Sequence, residues 1–167
     1  INVNETNNDG MNALMYSVVN RSEVTAMKLL EVVDKKMINN KNKLGESVLT
    51  MAIRSGLSKV IDYLVTIKEC DFNTQDAEGN TPLMTTILSN NFKLFKQLLK
   101  MNVNVNLRDN NGQTALMHAV NVKATQFNIP TKNSLIGENI TSYFYELMRH
   151  STTDVNIVDD YGQTALL

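Results

Sequence analysis

Two histidines, His118 and His150, and one cysteine, Cys70, are the side chains of this 167-residue chain best suited to metal or nucleophilic chemistry. Neither histidine has a Cys or carboxylate partner at metal-ligand spacing. His118 stands among Ala115, Leu116 and Ala119, in a helical pattern, and reads as an ordinary structural or surface histidine. Ser, His and Asp all occur, but no G-x-S-x-G elbow or other local nucleophile signature accompanies them. Gly137, after Leu135-Ile136, lacks the glycine-lysine loop that cradles phosphate. Cys70 reads as buried and inert. With no second cysteine it forms no internal disulfide, which fits a reducing, cytoplasmic compartment. These residues predict no catalytic centre, no metal site and no cofactor.

Composition narrows the class further. Apolar residues make up 43% of the chain and charged residues 20%, enough apolar material for a core. Lys plus Arg total 16 and Asp plus Glu 17, a net charge of -1. That balance argues against a bulk nucleic-acid binder. The apolar runs are far shorter than the roughly 20 residues needed to span a bilayer, so no membrane insertion is expected. Lys93, Lys96 and Lys100, at steps of three and four, read as a solvated helix face.

The elements that must carry these residues recur along the chain. Gly10, Gly45, Gly79, Gly112 and Gly162 are separated by 35, 34, 33 and 50 residues. Each lies seven residues after an apolar-Asn pair begins: Val3-Asn4, Ile38-Asn39, Phe72-Asn73, Val105-Asn106 and Val155-Asn156. Three residues before each glycine stands an Asn or Asp, and four after it a Leu. The Asx and the Gly suit a tight turn, since Asx bonds its own backbone and Gly accepts positive φ. Thr81-Pro82 then reads as a Thr cap with Pro at the first helical position. Ser47, Thr114, Thr164 and Asn12 are its variants. Gly56 or Asn90 closes the short first helix. A second amphipathic stretch follows, as in Leu94-Phe95 with Leu98-Leu99. Each unit therefore reads as turn, short helix, longer helix and extended return. The Met-rich first helices read as core packing.

The segment Gly79-Asn80-Thr81-Pro82-Leu83, with the G-x-T-A-L versions at Gly112 and Gly162, resembles the ankyrin repeat. The 33-residue period agrees, and so does the "D-V-N" ending at Asp154-Val155-Asn156. The resemblance implies an all-α solenoid of about four repeats plus a partial fifth, with hairpin-like turns. The repeats run approximately 4-38, 39-72, 73-105, 106-155 and 156-167, in one domain spanning 1-167 that belongs to a longer array. The chain departs from the family where Met15, Thr50, Met84, Met117 and Leu167 replace its His. The hydrogen bonds which that His makes with the Thr side chain are expected to be absent, with Met filling the space by packing. The first unit has about two extra residues before Asn39, and the fourth roughly 16 more between its helices, measured against the family period. That insertion, 123-139, is expected to be a surface excursion.

The resemblance also implies a function: a non-catalytic scaffold that binds another protein through its concave turn and first-helix face. The family's recognition positions fall here on Met11, Leu44, Arg54, Leu88, Arg108, Val158 and Tyr161. The family's asparaginyl hydroxylation would fall on Asn156 and Asn73. A second reading makes the repeats a targeting or regulatory part of a larger enzyme, channel or pathogen effector. A third, an enzyme housed in the inserted loop, lacks a nucleophile-base pair.

Overall fold

The computed structural model describes residues 3–126 and 134–166, with side chains for all of these except 122–126 and 134–141. The described residues are all-helical: α1 (Ala13–Val19), α2 (Glu23–Val32), α3 (Val48–Ser55), α4 (Ser58–Leu64), α5 (Pro82–Leu88), α6 (Phe92–Leu98), α7 (Ala115–Gln126) and α8 (Ser134–Arg149). They fall into two compact units, Ile1–Ala77 and Glu78–Leu167.

The helix starts follow from the capping residues. Asn12 accepts from Met15 N–H, Ser47 from Thr50 N–H and Thr81 from Met84 N–H, each satisfying an orphan donor of the first turn. Pro82 follows Thr81 at the first helical position, where its missing N–H costs nothing. Gly56 ends α3 in the left-handed conformation at φ 70°. Asn90 takes the same role after α5 at φ 53°. Arg21 adopts that conformation after α1, a use of Arg the sequence does not announce.

In the first unit α1 packs on α2 and α3, and α4 packs on α2 and α3. α3 buries six consecutive residues, Val48 to Ile53. Only Arg54 and Ser55 at its C-terminal end escape burial, which makes α3 an interior helix. The two extra residues before Asn39 are absorbed in a 3₁₀ turn, Lys35–Asn39, capped by Asp34 through Lys36 N–H at 3.0 Å. In the second unit α5 packs on α6 and α7, and α8 on α6 and α7. Phe92, Phe95 and Tyr143 form its aromatic centre, with Phe95 and Tyr143 edge to face at 4.8 Å.

Two expectations about the elements change. The second helix is not regularly the longer one: α4 and α6 have seven residues, against eight in α3 and seven in α5. Their final turns tighten, with Thr66 N–H donating to Tyr63 O and Lys100 N–H to Gln97 O, so the α-geometry stops early. The expected excursion at 123-139 is helical at both ends, because α7 runs to Gln126 and α8 begins at Ser134. Residues 127–133 lie outside the described residues.

Candidate partner-binding face

Four of the turns are built by their Asx side chains. Asn7 Oδ1 accepts from Asp9 N–H at 3.0 Å and Met11 N–H at 2.9 Å. Asn42 Oδ1 accepts from Leu44 and Glu46 N–H, both at 2.9 Å. Asp109 Oδ1 takes Asn111 N–H at 2.9 Å and Gln113 N–H at 2.8 Å. Asp159 Oδ1 takes Tyr161 and Gln163 N–H, both at 2.9 Å. The glycine N–H returns to the carbonyl of the same Asx residue, at 3.0 Å for Gly10, Gly45, Gly112 and Gly162. The tip backbone is thereby hydrogen-bonded within the chain itself, an arrangement that lowers the ordering cost of binding.

Neighbouring tips within a unit are joined through the backbone. Lys43 N–H donates to Asp9 O and Ala77 N–H to Leu44 O, both at 2.8 Å, in the first unit. In the second, Asn110 N–H donates to Glu78 O at 3.0 Å and Asp160 N–H to Asn111 O at 3.1 Å. At Gly45 this approach leaves no room for a side chain. A Cβ on Gly45 would lie 2.8 Å from Ala77 N, in addition to the strain of φ +70°. The asparagines of the apolar-Asn pairs tie the repeats at their other end. Asn39 Nδ2 donates to Glu69 O while its Oδ1 accepts from Asp71 N–H, and Asn106 does the same with Thr152 and Asp154. Asn156 is exposed and Asn73 half-buried.

The substituted histidine position holds more than packing. Met84 Sδ accepts from Thr81 N–H and Met117 Sδ from Thr114 N–H, each at 3.4 Å. The bond is to the Thr backbone N–H and not to its hydroxyl, so the thioether, a weak acceptor, adds a contact beyond the expected packing. His118, one residue further on, also has a definite role. Its Nε2 lies 2.9 Å from Asp109 Oδ2, so the carboxylate that builds the turn with one oxygen holds the first helix with the other. Residue order alone hides this, because nine positions separate the pair.

Among the sequence-derived binding positions, Leu44 (63%), Leu88 (53%), Val158 (43%) and Tyr161 (83%) are exposed, although each is apolar or aromatic. Met11 differs. It is half-buried, and its Sδ accepts from Asn42 Nδ2 at 3.5 Å, so it is partly consumed within the first unit. Arg54 and Arg108 are also engaged. Arg54 pairs with Glu46 and with Asp76, the latter at 2.6 Å. Arg108 pairs with Asp160 at 2.9 Å and donates to Gly112 O at 3.0 Å. Their guanidinium edges remain partly exposed beside the tips.

Cys70 is buried, and burial, aided by the neighbouring Asp71 charge, pushes its thiol up to about 12. Burial likewise raises the Tyr143 phenol. Among the described residues, no group of three or more His, Cys, Asp or Glu is placed to hold a metal ion. No helix among them is long and apolar enough to cross a membrane.

Repeated Asx-Gly turns, joined tip to tip within each unit and followed in the first four repeats by a helix pair, define an ankyrin-repeat protein. The pattern for ankyrin repeats in three copies matches residues 1–76 and 60–129, and the chain belongs to that family. Ankyrin repeat protein L271 of Acanthamoeba polyphaga mimivirus is 37% identical over 57 residues, which are 34% of this chain and 8% of that protein. The chain thus matches a small part of a much longer relative. Two solved structures share the fold. The ankyrin repeat protein EF0377 superposes with a TM-score of 0.76 at 23% identity, over 99% of this chain and 77% of that one. The ankyrin repeat domain of Bcl-3, of the IkappaB protein family, superposes with a TM-score of 0.72 at 20% identity, over 95% and 63%.

Proposed function

We propose that this chain is a non-catalytic scaffold that binds another protein through its turn tips and the exposed ends of its first helices. The observation that carries this reading is the exposure of Leu44, Leu88, Val158 and Tyr161 on tips and helix ends whose backbone is already hydrogen-bonded. Exposed apolar groups on a preorganised backbone are the usual anchors of an interface. Arg54 and Arg108 are their polar companions, and Met11 contributes an edge. The near-neutral charge favours a protein partner over nucleic acid. A pull-down with mass spectrometry names the partner. Leu44→Ala, Leu88→Ala and Tyr161→Ala should then each cost about 2 kcal/mol of binding where the residue is a central anchor. The thermal transition should stay nearly unchanged. Binding that survives all three substitutions would overturn this assignment.

A targeting or regulatory role within a larger protein is the second reading. The observation favouring it is that the matched segment is only 8% of the mimivirus relative.

A further inference from the structure

Between Glu78 and Asp109 the chain has no carboxylate, although it carries 17 Asp and Glu in all. Lys93, Lys96, Lys100 and Arg108 all lie in that stretch. α6 and the turn after it present the three lysines to solvent, and all three are exposed. The opposite side of α6 buries Leu94, Phe95 and Leu98, where α5 and α8 pack. α5 carries no charge. Among the described residues, no ion pair neutralises any of the three. The lysines line a wide-open, shallow depression together with Phe92, Gln97 and the turn residues 89–91 before α6. Lys96 Nζ lies 5.6 Å from the Phe92 ring centroid, a cation-π contact that fixes one ammonium at its edge.

We infer that this face of α6 binds an acidic peptide segment of a partner protein. Ammoniums that pair with no carboxylate among the described residues are complementary to Asp and Glu side chains. Gln97 offers both a donor and an acceptor, as a peptide backbone requires. Phe92 supplies an apolar floor. The three charges span roughly 10 Å of helix axis, too short a track for a nucleic-acid backbone. Membrane-surface attraction draws on larger clusters of about four to eight basic residues. The surface lies on a second helix and stands independently of the turn-tip reading.

The test is fluorescence anisotropy of a labelled oligo-glutamate peptide against the full chain at low salt. Saturable binding is expected. Combining Lys93→Glu, Lys96→Glu and Lys100→Glu should weaken it by about tenfold or more, with an unchanged thermal transition. Reversing the exposed Lys28, Lys36 and Lys43 makes the same change in net charge and should alter affinity by less than about twofold. Should the α6 reversal fail to fold, the Lys→Gln set at the same positions carries the same readout. Equal losses in the two reversed sets would reduce the effect to bulk attraction and overturn the proposal. So would absent binding, or tighter binding of oligothymidylate or phosphatidylserine vesicles through the same lysines. Self-association abolished by the α6 set would also overturn it, by making a second copy the occupant. The turn-tip substitutions should leave oligo-glutamate binding intact, so the two readings fail separately.

Discussion

The units Ile1–Ala77 and Glu78–Leu167 use the same Asx-Gly turn but fasten it with different side chains. In the first, Arg54 at the end of α3 reaches Asp76, whose side chain is 2% exposed. In the second, Arg108 precedes its turn and reaches Asp160, which is 56% exposed. His118 adds a tie to Asp109 there. The interiors differ too. Leu30, Ile38, Ile53 and Leu64 make the first unit aliphatic, whereas Phe92, Phe95 and Tyr143 make the second aromatic. The comparison teaches that the repeat specifies the backbone of the turn. The lateral ties and the core chemistry are local solutions, so equivalent substitutions should not cost the same.

The largest effect is expected in the aromatic centre. Phe95→Ala should cost about 3–5 kcal/mol, read by urea denaturation, since it leaves a cavity and removes the edge contact to Tyr143. Leu64→Ala, its aliphatic counterpart, should cost about 2–5 kcal/mol with no aromatic contribution. A Phe95→Leu variant that recovered nearly all of the loss would remove the edge contact from the comparison.

Glycines at matching φ separate turn strain from tip stacking. Gly45→Ala should cost about 2–4 kcal/mol, because the left-handed backbone and the approach of Ala77 both penalise a Cβ. Gly162→Ala has similar φ, +76°, but nothing within 4 Å of the added Cβ, and should cost about 1–2 kcal/mol. Equal melting shifts would show that the tip approach contributes nothing.

A smaller difference is expected between the two ion pairs. Arg54→Ala strips a partner from the buried Asp76 carboxylate and should cost about 1–2 kcal/mol, discounted for the half-exposed guanidinium. Asp160→Ala breaks a solvated pair and should cost less than about 1 kcal/mol. Raising the salt should erase the second loss and leave most of the first. Identical salt dependence would remove this distinction.

The least effect at neutral pH comes from Cys70. Its thiol is raised from 9.0 to about 12, so the folded state holds the proton more tightly than the unfolded chain. The stability contributed is fully present below pH 9.0 and is lost as pH rises toward about 12. Comparing alkaline melting curves of the parent and Cys70→Ala checks the sign, since only the parent should carry this slope. Alkylation of the native thiol near neutral pH should be slow.

Local chemistry was legible wherever a short segment decides its own conformation. Thr81-Pro82, Ser47 and Asn12 cap the helices they seemed to cap, and Gly56 takes the left-handed end. Contacts that depend on a second segment were not legible. Met84 and Met117 looked like fillers, but the turn of the helix brings their sulfurs onto Thr81 and Thr114 N–H. Met11 looked like a free anchor until Asn42 covered part of it. His118 reads from sequence as structural or surface, and Asp109 beside it gives it the structural role.

The sequence by itself determined the period, the turn type and the family. Asx at the start of a turn, Gly at its end and a cap before the helix act through neighbours within a few residues, and backbone sterics and local hydrogen bonds suffice to read them. The tertiary structure decided which side chains remain available for binding. Leu44 and Met11 share a residue class, yet one is exposed and the other half-covered. Arg54 and Arg108 are both arginines, yet one engages a buried carboxylate and the other a solvated one. Exposure and pairing depend on groups tens of positions away in the chain, and only folding brings those groups within reach.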